Sequence, residues 1–160
     1  MKKNIHLVEL EDRLTRQRAE AHPNVPPHAQ GRVKLSDTTA NGLTKCIIIF
    51  LQSEGWQAER ISTEGRVVKV NRKRWAGGQL VDDPTYKRIN TSGTRGSADI
   101  SATIKGRSVK IEVKIGHDRQ SEYQKEYQRK VESAGGYYII AKSFGGFYDD
   151  YQRLLSNMEG

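Results

Sequence analysis

Asp99, Glu112 and Lys114 are the residues whose types and spacing could do chemistry: two carboxylates thirteen positions apart, with a lysine two beyond the second. They lie in two strand-like runs joined by Lys105-Gly106. Ile100, Ala102 and Ile104 alternate with polar residues before that turn, and Val109, Ile111, Val113 and Ile115 do so after it. This is the period-two pattern of a half-buried hairpin. With a two-residue turn, Ile104 pairs with Arg107, Ala102 with Val109 and Ile100 with Ile111, so that Asp99 faces Glu112. A one-residue slip would set apolar side chains of one strand against polar ones of the other, which specifies the register tightly.

Carboxylates facing each other across a strand pair have Cβ atoms about 4.5 to 5.5 Å apart, an arrangement that is destabilising with nothing between them. A divalent cation offsets the repulsion. Mg²⁺ takes a few hard carboxylate oxygens and leaves its other octahedral positions for water and a substrate phosphate. Lys114 shares the face of Glu112, because residues two apart on a strand point the same way, and its ammonium is placed to meet a phosphate or the attacking water. Phosphodiester hydrolysis requires those parts: an activated water, and positive charge on the phosphorane-like transition state and the leaving 3′ oxygen. Beside two carboxylates, Lys114 is expected to stay protonated and not to serve as the sole general base. The competing reading is a solvated strand face on which Lys110 and Lys114 neutralise the acids. Asp99 in register with Glu112 favours the metal site.

Length and composition bound what surrounds these residues. At 160 residues the chain suits one globular core with extensions. The longest apolar run, Cys46 to Leu51, is far short of the roughly 18 residues of a membrane span. The N-terminus lacks the apolar segment of a secretory signal, and the single cysteine has no intramolecular partner, so a cytoplasmic protein is expected. Twenty-seven Lys and Arg against nineteen Asp and Glu give a formal charge of +8, which favours a polyanionic partner. Eight basic residues fall between Arg66 and Arg95 against two acids, Asp82 and Asp83. Of these, Arg72, Lys73, Arg74, Lys87, Arg88 and Arg95 are candidate contacts to a DNA backbone. Trp75 could stack on a base, or the stretch could be a solvated basic loop. The four histidines show no zinc-site spacing, and Gly77-Gly78 and Gly145-Gly146 lack the frame of a nucleotide-phosphate loop.

The elements that must position the acids follow from periodicity. Residues 1 to 35 read as an N-terminal arm outside the core, a short helix with Leu7, Leu10 and Leu14 on one face and then a Pro-rich breaker, with packing on a partner subunit, wrapping of the same molecule and mobility left open as its roles. Residues 36 to 160 read as the folded domain. A helix is expected from Gly42 to Glu54 with Leu43, Ile47, Phe50 and Leu51 buried. Trp56 to Ile61 and Arg66 to Val70 read as two strands around a Glu64-Gly65 turn, followed by an irregular basic section to Asn90. After the carboxylate hairpin come a loop at Gly116 to Asp118, a helix from Ser121 to Ala134, a buried strand from Tyr137 to Ala141 and a final helix from Phe147 to Met158. Tyr123 and Tyr127, one turn apart, read as packing residues. The order gives a mixed α/β sandwich with the carboxylate hairpin in its sheet.

Four segments in this order carry a resemblance: Gly96-Ser97-Ala98-Asp99-Ile100, Ile111-Glu112-Val113-Lys114, Ser121-Glu122-Tyr123-Gln124 and Gly135-Gly136-Tyr137-Tyr138-Ile139-Ile140-Ala141. Together they resemble the VRR-NUC family of the PD-(D/E)XK nuclease superfamily over roughly residues 42 to 145. The resemblance implies a restriction-endonuclease-like α/β/α core with a mixed sheet. It also implies a Mg²⁺- or Mn²⁺-dependent DNA endonuclease, in which Asp99, Glu112 and the backbone carbonyl of Val113 hold the metal, Lys114 is the lysine of the motif and Gln124 lies near the site. Many relatives carry an acid early in the first helix; here Leu43, Thr44, Lys45 and Cys46 occupy that turn. The site then has two carboxylates only, or another acid such as Glu64 or Asp83 reaches in. Analogy with resolvase-like relatives implies branched or Holliday-junction-like DNA, a role in repair or recombination, and a bacterial or phage setting. A homodimer is compatible with such cutting. The alternative function is a non-catalytic nucleic-acid-binding module of the same fold.

Overall fold

The computed structural model describes residues 3–61, 66–89 and 94–159, apart from the side chains of Pro27, Arg66, Arg88 and Ile89. Its elements in chain order are α1 (Ile5–Ala21), α2 (Pro27–Gln30), α3 (Ala40–Ser53), β1 (Gln57–Arg60), β2 (Arg66–Ala76) and β3 (Gln79–Ile89). They continue with β4 (Ile100–Ile104), β5 (Arg107–Val113), α4 (Glu122–Ser133), β6 (Tyr137–Ala141) and α5 (Phe144–Glu159). The main sheet has the order β1-β4-β5-β6, and β2 and β3 form a separate two-stranded sheet. β1, β4 and β5 are antiparallel neighbours, while β6 runs parallel to β5. The chain is therefore mixed α/β with a mixed four-stranded sheet.

The carboxylate hairpin has the expected register: Ile100 pairs with Ile111, Ala102 with Val109 and Ile104 with Arg107. Lys105 takes φ 47° and Gly106 φ 74°, the doubly left-handed backbone whose twist matches that of a two-residue hairpin. Ile100, Ala102, Ile104, Val109 and Ile111 turn to one side and are buried with α3 and α5. α3 offers Leu43, Cys46, Ile47, Phe50 and Leu51 at helical spacing, and Thr39 caps it by accepting from the Gly42 N–H. Phe50 anchors this layer: Phe144, Phe147, Tyr148 and Tyr151 of α5 meet its ring edge-to-face at 5.1 to 6.0 Å, the geometry aromatic quadrupoles favour. Burial pushes the Cys46 thiol up to about 11, as a cysteine used for packing should behave.

Four expectations need correction. Residues 1 to 35 do not lie wholly outside the core. Leu7, Leu10 and Leu35 are buried in the same cluster as α3 and the sheet, His6 stacks on Tyr148 of α5 at 4.0 Å, and Arg13 reaches Glu54 at 2.5 Å. The leucine stripe of α1 has the period of a docked helix, and α5 and the end of α3 supply what it covers. Secondly, β1 pairs with β4 and β2 with β3, so the two expected strands are not partners; the Glu64-Gly65 turn lies outside the described residues. Thirdly, the basic section is a regular hairpin, with each strand eleven residues long and Gly77-Gly78 at the turn. Its sequence hid this because neither face is continuously apolar and Pro84 interrupts β3. In a two-stranded sheet both strands are edges, where proline is tolerated. α5 also begins earlier than expected, at Phe144, with Gly145 and Gly146 in its first turn. Among the described residues no helix is long and apolar enough to cross a membrane.

If α1 is part of the core, Leu7→Ala should lower the unfolding free energy by about 2 to 5 kcal/mol in urea denaturation. A change within about 0.5 kcal/mol, typical of surface positions, would show that the arm packs without supporting the domain.

Candidate functional site

The sheet face opposite α3 and α5 carries the polar residues of the hairpin. Glu112, on β5, is only 1% exposed, and Lys114, just past its end, only 7%. Burying a carboxylate is unfavourable unless it is paired and hydrogen-bonded, and the surroundings supply that. The Lys114 ammonium lies 3.0 Å from Glu112 Oε1. Gln124 Nε2 donates to the same oxygen, and the Tyr138 hydroxyl donates to Oε2 at 3.4 Å. On its other side Lys114 meets Asp118 at 3.4 Å.

Asp99 immediately precedes β4 and extends the ladder. Its Oδ2 accepts from the Val113 N–H at 2.8 Å, pinning the first acid to the strand that carries the second. Among the described residues no hydrogen bond engages its other oxygen. A ladder residue directs its N–H and C=O to the same edge, so the Val113 carbonyl leaves β5 on the Asp99 side. The next residue turns the other way: the Lys114 N–H donates to the Ala141 carbonyl of β6 at 2.9 Å. Asp99 acts electrostatically on both Glu112 and Tyr138. The acids thus share one local field, as the strand register requires.

Two further elements hold this arrangement. Helix α4 starts with a capping box: Ser121 accepts from the Gln124 N–H, and the Gln124 side chain accepts from the Ser121 N–H at 2.9 Å. That motif alone accounts for a glutamine at the third helical position. Gln124 then uses its amide nitrogen on Glu112, so one residue both caps the helix and orients the carboxylate. The loop before Asp99 is set by Gly96, at φ 80°, where a Cβ would come within 2.5 Å of the Tyr123 backbone. Beside it the Arg95 guanidinium lies over the Tyr123 ring, 3.7 Å from its centre, a cation–π contact.

Protonation follows from these contacts. Desolvation raises the Glu112 pKa above its ordinary 4.5; the nearby Asp99 charge adds to this, and the bonds from Lys114 and Tyr138 offset only part of it. Desolvation pulls Lys114 down, but the bonds and charges of Glu112 and Asp118 outweigh it, so its pKa is raised and it remains an ammonium. Burial and the Glu112 charge push the Tyr138 phenol far above its usual range. It is therefore a neutral hydrogen-bond donor.

The residues that could hold a cation are Asp99, Glu112 and the Val113 carbonyl, a hard-oxygen set of the kind Mg²⁺ takes while keeping several waters. This donor chemistry fits Mg²⁺ or Mn²⁺. Among the described residues no group of three or more His, Cys, Asp or Glu is placed to hold a metal, so a two-carboxylate arrangement is what these residues offer. Asp83 is exposed on β3, 3.9 Å from Arg74, and Glu54 is held by Arg13 at the end of α3. Neither joins the site, and Glu64 lies outside the described residues.

The structure therefore brings Asp99, Glu112, Val113, Lys114 and Gln124 together. Arg95 stands apart on the loop before Asp99, stacked on α4. Arg72, Lys73, Arg74 and Lys87 are exposed on the β2–β3 hairpin; Arg88 is on β3, and its side chain lies outside the described residues. Tyr127 packs edge-on to Tyr138, whereas Tyr123 is 47% exposed beneath Arg95. Sequence reasoning missed Tyr138 and Asp118. Tyr138 sits in a uniformly apolar run, and only the parallel pairing with β5, which sets Ile139 beside Ile111, places it on the Glu112 side of the sheet. Asp118 lies in a loop and had no signal. No protein-family model matches the chain, and no curated protein does.

Because Glu112 holds its proton more tightly folded than unfolded, its contribution to stability is fully present below pH 4.5 and is lost as pH rises through its folded value. Glu112→Gln, which mimics the neutral acid, should therefore gain on the wild type as pH rises from 4 to about 8. Urea unfolding of both metal-stripped proteins measures this. A gap that narrows with pH would show that the ionised carboxylate is favoured by the fold.

Proposed function

We propose that this chain is a Mg²⁺- or Mn²⁺-dependent DNA endonuclease of the PD-(D/E)XK type, similar to the VRR-NUC family. The observation that carries the reading is Asp99 bonded to the Val113 N–H, with Glu112 and Lys114 on the adjoining strand and at contact distance from each other. The sheet order β1-β4-β5-β6, with one antiparallel hairpin and a parallel β6, supports it as a frame compatible with that superfamily. A cation bound at Asp99, Glu112 and the Val113 carbonyl would lower the pKa of its water and neutralise charge on the phosphate.

The chain's own residues supply the remaining roles. Asp99 and Glu112 are the ligating groups, and Gln124 and Tyr138 hold the Glu112 carboxylate in one orientation, a function such outer partners commonly serve. Lys114, kept as an ammonium by Glu112 and Asp118, places a positive charge where the pentavalent phosphorus gathers negative charge. In the reaction a water oxygen bonds to phosphorus as the bond to the 3′ oxygen breaks. A proton from that water ends on the leaving oxygen by way of solvent, which yields a 5′ phosphate and a 3′ hydroxyl. Junction, flap or other branched DNA is the substrate class that analogy supports.

The second reading is a nucleic-acid-binding module without chemistry. It is favoured by one observation: Glu112 already has Lys114, Gln124 and Tyr138 as partners, as a structural anchor would. Labelled junction, flap and linear DNA incubated with wild type, Asp99→Ala, Glu112→Ala and Lys114→Ala in Mg²⁺ and in EDTA separate the two. The nuclease reading expects Mg²⁺-dependent cutting that falls about a hundredfold or more in each variant. Equal cutting by all four proteins contradicts the site; binding with no cutting in any metal supports the module.

A further inference from the structure

The β2–β3 hairpin has no role in holding the acids, yet it is a large regular feature. Among the described residues its strands bond to each other and not to the main sheet, and at about 3.4 Å per residue each extends roughly 35 Å. An isolated two-stranded hairpin is at best marginally stable in water, and exposed apolar residues along an unprotected edge invite partners. Here the exposed apolar side chains are Val67 at 64%, Trp75 at 73%, Leu80 at 51% and Tyr86 at 69%.

They are not scattered. Val67 and Trp75 are eight residues apart on β2, so they share a face. Trp75 pairs with Leu80 across the ladder, and Tyr86 pairs with Lys69, which lies on the same side. All four exposed apolar residues therefore occupy one face, and Lys69 and Lys73 stand between them. The hairpin from Arg66 to Ile89 carries seven Lys and Arg against two Asp. Both acids sit opposite basic residues, Asp82 opposite Lys73 and Asp83 opposite Arg72, leaving the surplus positive.

Alternating aromatic and cationic side chains match a chain of bases and phosphates. A ribbon that reads duplex grooves would present several amides and guanidinium groups to base edges; this face offers one side-chain amide, Asn71, and by register one arginine position, Arg88 opposite Val67, with Asp82 beside Lys73, while Trp75, Tyr86, Val67 and Leu80 are flat or aliphatic. Such groups meet the faces of bases, which are open only where nucleotides are unpaired. We infer that the exposed Val67–Trp75 face of the β2–β3 hairpin is a binding platform for a single-stranded nucleic-acid segment, with Trp75 and Tyr86 stacking on bases and Lys69 and Lys73 meeting phosphates. The hairpin is inserted between β1 and β4, before the segment that carries Asp99 into β4. As the feeder of a phosphodiester site it rests on the nuclease reading; as a binding surface it does not.

The test is binding in EDTA, where no cleavage intervenes. A labelled 20-nucleotide single strand and a duplex of the same length are titrated with the full chain, followed by anisotropy and tryptophan emission. The single strand should bind more tightly and quench the exposed Trp75, and Trp75→Ala should remove that quench. Trp75→Ala and Tyr86→Ala should each weaken single-strand binding about fivefold to a hundredfold while leaving duplex binding nearly unchanged. Lys69→Ala and Lys73→Ala should each reduce the salt dependence of binding by close to one phosphate contact. Circular dichroism and unfolding midpoints matching wild type certify the variants as folded. Equal loss on duplex and single strand, unchanged affinity in the aromatic variants, tighter binding to phosphatidylserine vesicles than to DNA, or self-association abolished by Trp75→Ala would each overturn the inference. Failure of the wild type to cut DNA in Mg²⁺ would count against the nuclease site and leave this result standing.

Discussion

A carboxylate buried beneath a helix, on the side of a sheet that faces away from the apolar core, is the constraint from which the rest of this structure follows. Glu112 is 1% exposed, and an ionised group so placed is unfavourable by several kcal/mol unless its surroundings answer it. Lys114 answers with charge, Gln124 with an amide and Tyr138 with a hydroxyl. Each comes from a different place: the end of β5, the first turn of α4, and β6. Holding one oxygen pair therefore fixes the helix against the sheet. Asp99 works in the opposite direction, adding a negative charge to a group whose pKa burial already raises. Under the proposed function, a cation from outside supplies the positive charge that offsets this second acid.

The apolar side explains why that polar side can be held accurately. Ile100, Val109 and Ile111 are fully buried, and the aromatic cluster around Phe50 locks α3 and α5 against them. A one-residue shift of β4 on β5 would send these side chains toward α4 and the acids into the core. The same packing that stabilises the domain thus enforces the facing of Asp99 and Glu112. The docked α1, with Leu7 and Leu10 buried, extends this apolar layer and shields the far side of α5.

How much of this was legible follows from which residues bear two-sided constraints. The carboxylate hairpin was readable to the pair, because alternation and a Lys-Gly turn leave one register. Helix α4 was readable from Ser121, and β6 was readable from its apolar run. The arm was misjudged because a stripe of three leucines does not say whether a partner surface exists, and only the folded positions of α5 and α3 supply it. The basic hairpin was invisible for a different reason: a ribbon with no fully buried side chain among its described residues has no strong hydrophobic period to detect, and Pro84 argues against a strand. Tyr138 was masked by its neighbours, since Tyr137 to Ala141 looks uniformly apolar until the parallel pairing with β5 assigns its sides.

Under the proposed function, Asp99 and Glu112 converge on one cation. Crystals grown with Mn²⁺, with data collected at the manganese absorption edge, test it without reference to activity. A single strong anomalous peak is expected within about 2.0 to 2.3 Å of both carboxylates and the Val113 carbonyl, with Lys114 beside it and not displaced. Anomalous density elsewhere, or none at these oxygens while Lys114 alone continues to engage Glu112, would contradict it.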